Sequence, residues 1–291
     1  MSKVGFIGLG NMGKGMCKNL IEHGHDMSIF DLSRDAMKKF EGKAYLCDSI
    51  DELVSRSDFI FLSLPNSKVV SKTVAEFLKQ DISGKIIVDT STSSPIQTRE
   101  IYAEVKKAGA GYVDAALNAT PANAEQGTVI SVVGGDKEDV DKVHDLIMCY
   151  SSTCEYYGGS GAGDLIKIAL NYSGLVQVLA YAQLYPIMDK YGISPNDLYR
   201  AFNNEGYSNL VFQFYSQKYI NRDYRMDFSM PLALKDLTYM KALCDNLNIP
   251  AFLLDGAIDL MRVSMKEERG NLIDVSYACE TMYQFVDKDK E

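Results

Sequence analysis

Apolar residues in the first half of the chain fall in short continuous runs, separated by stretches in which they recur every three or four positions. Residues 4–7 (VGFI), 27–30 (MSIF), 58–64 (DFIFLSL), 85–89 (KIIVD), 111–114 (GYVD) and 129–133 (VISVV) read as buried strands. Residues 12–22, 34–40, 67–77 and 96–107 read as amphipathic helices. Short apolar strands alternating with such helices predict a parallel sheet covered on both faces. The glycine cluster at 158–163 ends this regime. From Asp164 onward no strand pattern follows, and LIKIALNYSGLVQVLAYAQLYPIMDKYG is apolar on nearly every face, as a long buried helix should be. Further helices are expected over 195–203, 232–247 and 251–268, and the terminal DKDKE as a frayed, solvated end. The division predicted is residues 1–163 as an α/β domain and 164–291 as a helical domain, with a long connecting helix at about 164–192.

With 46% hydrophobic and 24% charged residues among 291, the chain has material for about two packed domains, which excludes a disordered tail or a disulfide-stapled miniprotein. A formal charge of −9 and a pI near 5.0 leave no general cationic footprint, so nucleic acid is not an expected partner. The six cysteines form no C-x-x-C, and the three histidines are His23, His25 and His144, so neither a zinc site, a disulfide framework nor a His-centred triad is expected. MSKVGFIGLG is too short an apolar run for a signal peptide. No stretch approaches about 18 uninterrupted apolar residues, so a cytoplasmic protein without a membrane partner is expected.

Gly8-Leu9-Gly10-Asn11-Met12-Gly13 is a G-x-G-x-x-G that follows a predicted strand and opens a predicted helix. A second strand ends at Asp31, near the ~20-residue offset at which dinucleotide-binding folds place a ribose-binding acid. In that setting Gly8 permits the tight turn, Gly10 lets the backbone approach a pyrophosphate, and Gly13 brings helix and strand together. Asn11 and Met12 supply helix N-terminal amides to the phosphates. The expected fold is therefore a Rossmann-type doubly wound α/β sheet, then a long connecting helix and an all-helical C-terminal domain. The Asp31 carboxylate can accept ribose hydroxyls but repels a 2′-phosphate, which favours NAD over NADP; Arg34 stands close enough to soften that preference.

Four segments, in order, carry a resemblance to a known family. They are GFIGLGNMGKGMCKNL (5–20), VDAALNATPANAEQGT (113–128), GSGAGDLIKIALN (159–171) and FSMPLALKDL (228–237). Together they resemble the β-hydroxyacid dehydrogenases, which include 3-hydroxyisobutyrate dehydrogenase and tartronate semialdehyde reductase. Lys167 and Asn171 are four apart in a predicted helix and so share a face. Spacing alone favours a lysine snorkelling from a buried helix. The resemblance reverses that preference and implies a catalytic pair, with Lys167 exchanging a proton with the substrate oxygen and Asn171 holding the lysine or that oxygen. Desolvation would bring such a lysine toward neutrality. The resemblance also implies that Lys235 reaches over cofactor and substrate, and that Leu64, Pro65 and Thr92 touch the nicotinamide side. Homodimer or homotetramer assembly is implied as well.

The substrate loop departs from the family pattern. The usual Ser-Gly-Gly falls on Asn118-Ala119-Thr120, and the usual preceding proline on Ala116. Ala122-Asn123-Ala124 is similar to the sulfolactaldehyde reductases of the same family, although those place an arginine where this chain has Ala119. Asn118, Thr120 and Asn123 offer neutral donors that suit a carboxylate or a sulfonate. The expected activity is NAD(H)-dependent hydride transfer between a short anionic aldehyde and its hydroxy acid or hydroxy sulfonate. The alternative is a catalytically silent dinucleotide-binding scaffold or sensor, against which the retention of Lys167, Asn171 and Lys235 argues.

Overall fold

The computed structural model describes residues 1–266 and 273–287, which divide into two compact units, Met1–Lys167 and Ile168–Glu291. The first unit runs β1 (Lys3–Ile7), α1 (Gly13–Glu22), β2 (Asp26–Phe30), α2 (Arg34–Lys38), β3 (Tyr45–Leu46), α3 (Ile50–Arg56), β4 (Phe59–Leu62) and α4 (Ser67–Phe77). It continues with β5 (Ile86–Asp89), α5 (Pro95–Lys107), β6 (Gly111–Asn118), α6 (Pro121–Gln126), β7 (Val129–Gly135), α7 (Lys137–Met148) and β8 (Ser151–Gly158). The strands form one sheet in the order β3-β2-β1-β4-β5-β6-β7-β8. Apolar side chains alternate across it, with Val4, Phe6 and Phe61 in the core on one face and Ile7, Ile60 and Leu62 in the core on the other.

All pairings are parallel except β6 with β7, which runs antiparallel against the expectation of a uniformly parallel sheet. Only the residues between Asn118 and Val129, a loop and the six-residue α6, connect them, and that is too short for a crossover. The order reverses at β1, whose neighbours are β2 and β4. In open α/β sheets a ligand binds outside the carboxyl ends of the strands at such a reversal point. The C-terminal ends of β1, β4, β5 and β6 share one edge of the sheet because these strands are parallel.

The second unit consists of α8, α9 (Pro195–Phe202), α10 (Leu210–Asn221), α11 (Met230–Asn246), α12 (Phe252–Ser264), a short 3₁₀ turn (Val275–Tyr277) and α13 (Ala278–Asp287). Helix α8 spans Ala162–Lys190 and begins in the first unit. One face of it, with Leu175, Val178, Leu179 and Ala182, forms the core of the helical unit with Met230 and Leu237 of α11 and Leu254 and Ile258 of α12. By length and composition alone α8 is also apolar enough to cross a membrane. The helix expected over 251–268 ends at Ser264; its last two positions, and 288–291 of the expected frayed end, lie outside the described residues.

Three buried carboxylates fix the turn that leads into α8. Asp114, on β6, accepts the amides of Gly161 at 2.8 Å and Asp164 at 3.1 Å, so it serves the helix N-terminus as a cap from a neighbouring strand. Asp164 accepts the Ser93 amide at 3.0 Å and the Thr98 hydroxyl at 2.7 Å. Asp89 accepts the Ser93 hydroxyl at 3.0 Å and the Tyr112 hydroxyl at 3.1 Å. The approach is close: a Cβ on Gly134 would lie 2.7 Å from Asp114 Oδ2, and one on Gly163 2.5 Å from the Val132 carbonyl.

Burial raises all three carboxyls above the ordinary aspartate range, Asp114 to about 6. For Asp164 the neighbouring Asp114 and Asp89 add to that rise. An acid whose folded value is raised binds its proton more tightly folded than unfolded. Its stabilising contribution is present below the unfolded value near pH 4 and is lost as pH climbs through the folded one. Asp164→Asn can keep both hydrogen bonds, accepting from Ser93 and donating to Thr98, while removing the charge. Urea unfolding at pH 5 and pH 8 should therefore show a smaller loss of stability with rising pH in Asp164→Asn than in the wild type; identical pH dependences would refute the assignment. Asp164→Ala should cost roughly 1–3 kcal/mol for each polar group left unsatisfied.

Candidate active site

The glycine-rich loop separates glycines the fold needs from one it does not. Gly8 has φ +98°, and a Cβ there would lie 2.2 Å from the Ser63 carbonyl oxygen; a Cβ on Gly13 would lie 1.9 Å from that of Gly8. Both glycines are demanded by packing between β1, β4 and α1. Gly10 is different, since a Cβ there would meet nothing within 4 Å. The space before it suits a ligand that approaches the backbone closely. Helix α1 begins beside it, with Met12 as N-cap, no side-chain cap and no acidic residue in its first turn. Its N-terminal amides and partial positive charge thus face the opening left at Gly10 and exposed Asn11, which fits a dinucleotide pyrophosphate.

Asp31 follows β2 directly. Its Oδ2 accepts the Leu9 amide at 2.6 Å and its Oδ1 the Ser33 amide at 2.7 Å, so the carboxylate ties the glycine loop to the start of α2. A ribose would hydrogen-bond to the remaining lone pairs of an oriented carboxylate. The Arg34 guanidinium is engaged with Asp48 at 2.6 Å, on an exposed surface.

Leu64 and Pro65 follow β4, and Thr92 follows β5, on the same sheet edge. The two loops are bonded to each other: the Leu64 amide donates to Ser91 Oγ at 2.9 Å and the Ser94 amide to Ser67 Oγ at 2.6 Å. Asn66 caps α4 through the Val69 amide at 3.0 Å. The Ser91 amide is held by Asp89 and the Ser93 amide by Asp164, so the loop carrying Thr92 and the start of α8 are set by one network.

Lys167 is in the second turn of α8 and only 8% exposed. Its Nζ lies 3.5 Å from Oδ1 of Asn118, the last residue of β6. The structure thus brings together Lys167 and Asn118, which sequence reasoning had assigned to separate motifs. Thr120 and Asn123 have another occupation. Thr120 is the N-cap of α6, and the two side chains form a reciprocal capping box, with Asn123 Nδ2 also donating to Thr128 Oγ1 at 3.2 Å. Partly buried Ala119 links Asn118 to this cap.

Helix α6 is fastened to α1 by a residue that sequence reasoning missed. Asn19 Nδ2 donates to the Gly15 carbonyl at 2.8 Å and the Ala124 carbonyl at 2.9 Å, and a Cβ on Gly15 would lie 2.7 Å from the Ala124 carbonyl carbon. The available signal was a lone asparagine among Met16, Cys17 and Leu20 in an apolar helix face.

In the helical unit, Asn171 Nδ2 donates to Asp236 Oδ2 at 2.7 Å, and Lys235 Nζ pairs with Asp236 Oδ1 at 3.2 Å. Asp236 is 4% exposed, so one buried carboxylate of α11 orients both polar residues predicted for this unit. Buried Ala233, three residues earlier, lies on the same inward face of α11.

A family model described as the NAD binding domain of 6-phosphogluconate dehydrogenase matches residues 3–159. A second, described as the NAD-binding domain of NADP-dependent 3-hydroxyisobutyrate dehydrogenase, matches 161–281. The mitochondrial 3-hydroxyisobutyrate dehydrogenase of Drosophila melanogaster is 27% identical over 85% of this chain and 79% of that protein. The 2-hydroxy-3-oxopropionate reductase of Escherichia coli (strain K12) is 28% identical over 81% of this chain and 82% of that protein. Alignments with mammalian relatives of the first name span 61% of their length. Among solved structures, the 3-hydroxyisobutyrate dehydrogenase of Mycobacterium tuberculosis with L-serine shares the fold at a TM-score of 0.90, with 24% identity, over 97% of this chain and 99% of that one. The chain belongs to the β-hydroxyacid dehydrogenase family of nicotinamide-dinucleotide-dependent oxidoreductases.

Proposed function

We propose that the chain interconverts a short anionic aldehyde and its hydroxy acid or hydroxy sulfonate, with NAD(H) as cofactor and Lys167 as the acid and base. The observation that carries this reading is the placement of buried Lys167 beside Asn118, on the sheet edge that also bears the open cradle at Gly10. When bound, the nicotinamide supplies or accepts the hydride. Lys167 donates a hydrogen bond to the aldehyde oxygen and gives up a proton as the alcohol forms. In the reverse direction the amine takes that proton back. Asn118 orients the lysine through its amide oxygen. Asn171 and Lys235, which the family pattern assigns to the same reaction, are each fixed by Asp236.

The anionic end of the substrate would meet the loop 118–123. Its capping box leaves Thr120 and Asn123 bonded to each other, so the loop presents a fixed polar surface in place of bare glycine amides. That favours recognition through Asn118 and groups around α6, and it supports testing a sulfonate beside a carboxylate. The names of the relatives, 3-hydroxyisobutyrate dehydrogenase and 2-hydroxy-3-oxopropionate reductase, support the semialdehyde class.

Preference for NAD rests on Asp31, whose carboxylate would face a 2′-phosphate as a like charge, and on Arg34, which already pairs with Asp48. Assembly as a homodimer or homotetramer is supported by the helical unit. Only 28% of the most apolar window of α8 is buried within one chain, and Leu210 and Phe252 stand more than four-fifths exposed.

Three outcomes are expected. NADH oxidation with carboxylated and sulfonated aldehydes should fall about 10²–10⁴-fold in Lys167→Ala with NADH binding retained; undiminished turnover in that variant would sink the acid/base assignment. Catalytic efficiency should favour NADH over NADPH, and Asp31→Ala should narrow the ratio by about tenfold, equivalent to ~1.4 kcal/mol; equal use of both cofactors by the wild type would contradict the Asp31 argument. Sedimentation velocity should show a dimer or tetramer at micromolar concentration, and a monomer there would remove the assembly from the proposal.

A further inference from the structure

The first unit has a concavity in the groove between α1 and α2, which starts beside the glycine loop at Leu9 and Lys14 and runs along the flanks of the two helices. Its volume is about 390 Å³, within the range of small-molecule sites. The floor is apolar, made by Leu9, Ile21, Ala36 and Phe40. Around it stand Lys14, Lys18, Lys39 and Lys43, opposed by Glu22 and Glu125. The groove therefore has a local excess of two positive charges on a chain whose formal charge is −9. Lys18 is paired with Glu125 at 3.0 Å. Among the described residues, no carboxylate lies within ion-pair distance of Lys14, Lys39 or Lys43. Lysine stems commonly lie along apolar surface with the ammonium in water; here three ammonium groups with no carboxylate partner among the described residues line one apolar depression together.

We propose that this groove binds a small organic anion: a carboxylate, sulfonate or phosphate ester carried on an acyl or aromatic body. The apolar body would cover the floor formed by Ile21, Ala36 and Phe40, gaining the burial that the open groove lacks. The charged end would sit among Lys14, Lys39 and Lys43, where the field of the other lysines adds to direct pairing. An inorganic ion has no use for the floor, and a neutral hydrocarbon none for the rim, so the combination selects an amphipathic anion. The occupant would be connected to the cofactor loop through Leu9, whose side chain lines the groove and whose amide donates to Asp31 at 2.6 Å. It would also stand beside the Lys18–Glu125 pair that joins α1 to α6. Binding is nevertheless expected to be compatible with the dinucleotide, because the floor lies along the flanks of α1 and α2 and not at the N-terminal amides of α1.

The test is a fluorescence titration of the full chain with 8-anilinonaphthalene-1-sulfonate, a sulfonate on an aromatic body, with NAD⁺ held at saturation. Saturable binding is expected, weakened about tenfold by the double substitution Lys39→Glu/Lys43→Glu, which removes two exposed charge partners. Ala36→Trp, which fills the floor, should abolish binding independently of charge, and both variants should retain NAD⁺ binding as a check on folding. Decanoate should displace the dye where inorganic phosphate at equal concentration does not. Saturable dye binding that is present without NAD⁺ and absent at saturating NAD⁺ would put the dye in the cofactor cleft and overturn the proposal. So would equal affinity in the wild type and both variants, or displacement by phosphate as effective as by decanoate.

Discussion

The site in the first unit depends on how α8 is started. Its N-terminal amides at Gly161 and Asp164 have no partners in the preceding turn, and Asp114 supplies them from the middle of the sheet. That carboxylate is expensive to bury, which is why burial lifts it toward protonation, and the two amide bonds oppose the rise. Asp164 carries the constraint onward to Ser93 and Thr98, and Asp89 carries it to Ser91 and Ser93. The loop after β5 and the helix bearing Lys167 therefore cannot move independently. The acid/base role proposed for Lys167 would require it to be held to within about half an ångström of a substrate oxygen. A packed network of hydrogen bonds to backbone amides provides that precision better than a flexible side chain could by itself.

The same logic explains which parts of the fold were legible in the sequence. Strands β1, β2, β4, β5, β6 and β7 declared themselves because both faces of the sheet are covered there, so their apolar runs are nearly continuous. Strand β8 did not, because it lies at the sheet's edge and exposes Ser152, Thr153, Glu155, Tyr156 and Tyr157. Strand β3, two residues long, has too few positions to show any period. The antiparallel turn between β6 and β7 was hidden for a different reason. Strand direction is decided by the length of the connection, and α6 gave no clear helical pattern in only six residues.

In the candidate site, legibility followed backbone demands more closely than side-chain roles. Gly8 and Gly13 are fixed by contacts shorter than any Cβ tolerates, and Gly10 by the room it leaves, so the motif could be found by spacing. Lys167 and Asn118 come from segments 49 residues apart, and nothing local announces that they meet. Thr120 and Asn123 show the converse: their donors looked available for a ligand, yet three residues is also the spacing of a capping box, and the helix end claimed them first. Asp236 was not legible as a hub, since its two partners arrive from α8 and from its own helix.

Net charge is a poor guide to what such a chain binds, and the first unit shows why. Potential at a site is set by the groups within about one Debye length, ~8 Å at physiological salt, and more distant surface carboxylates are screened. At the start of α1 the first turn contains no acidic residue, so the helix amides present a positive end to the opening at Gly10, with the Asp31 carboxylate held beside it on the Leu9 amide. Many of the acidic residues elsewhere are engaged locally, as in the pairs of Lys79 with Glu76, Lys107 with Glu104 and Arg34 with Asp48. They add to the formal total while their fields largely cancel at a distance. An acidic chain can in this way keep two regions attractive to anions, one through backbone amides and one through lysines. The amides are fixed by the helix and suit a phosphate at one position, whereas lysine side chains adapt and suit a class of charged groups. That difference in stiffness separates a site built for a single cofactor from a groove that selects only by charge and apolar area.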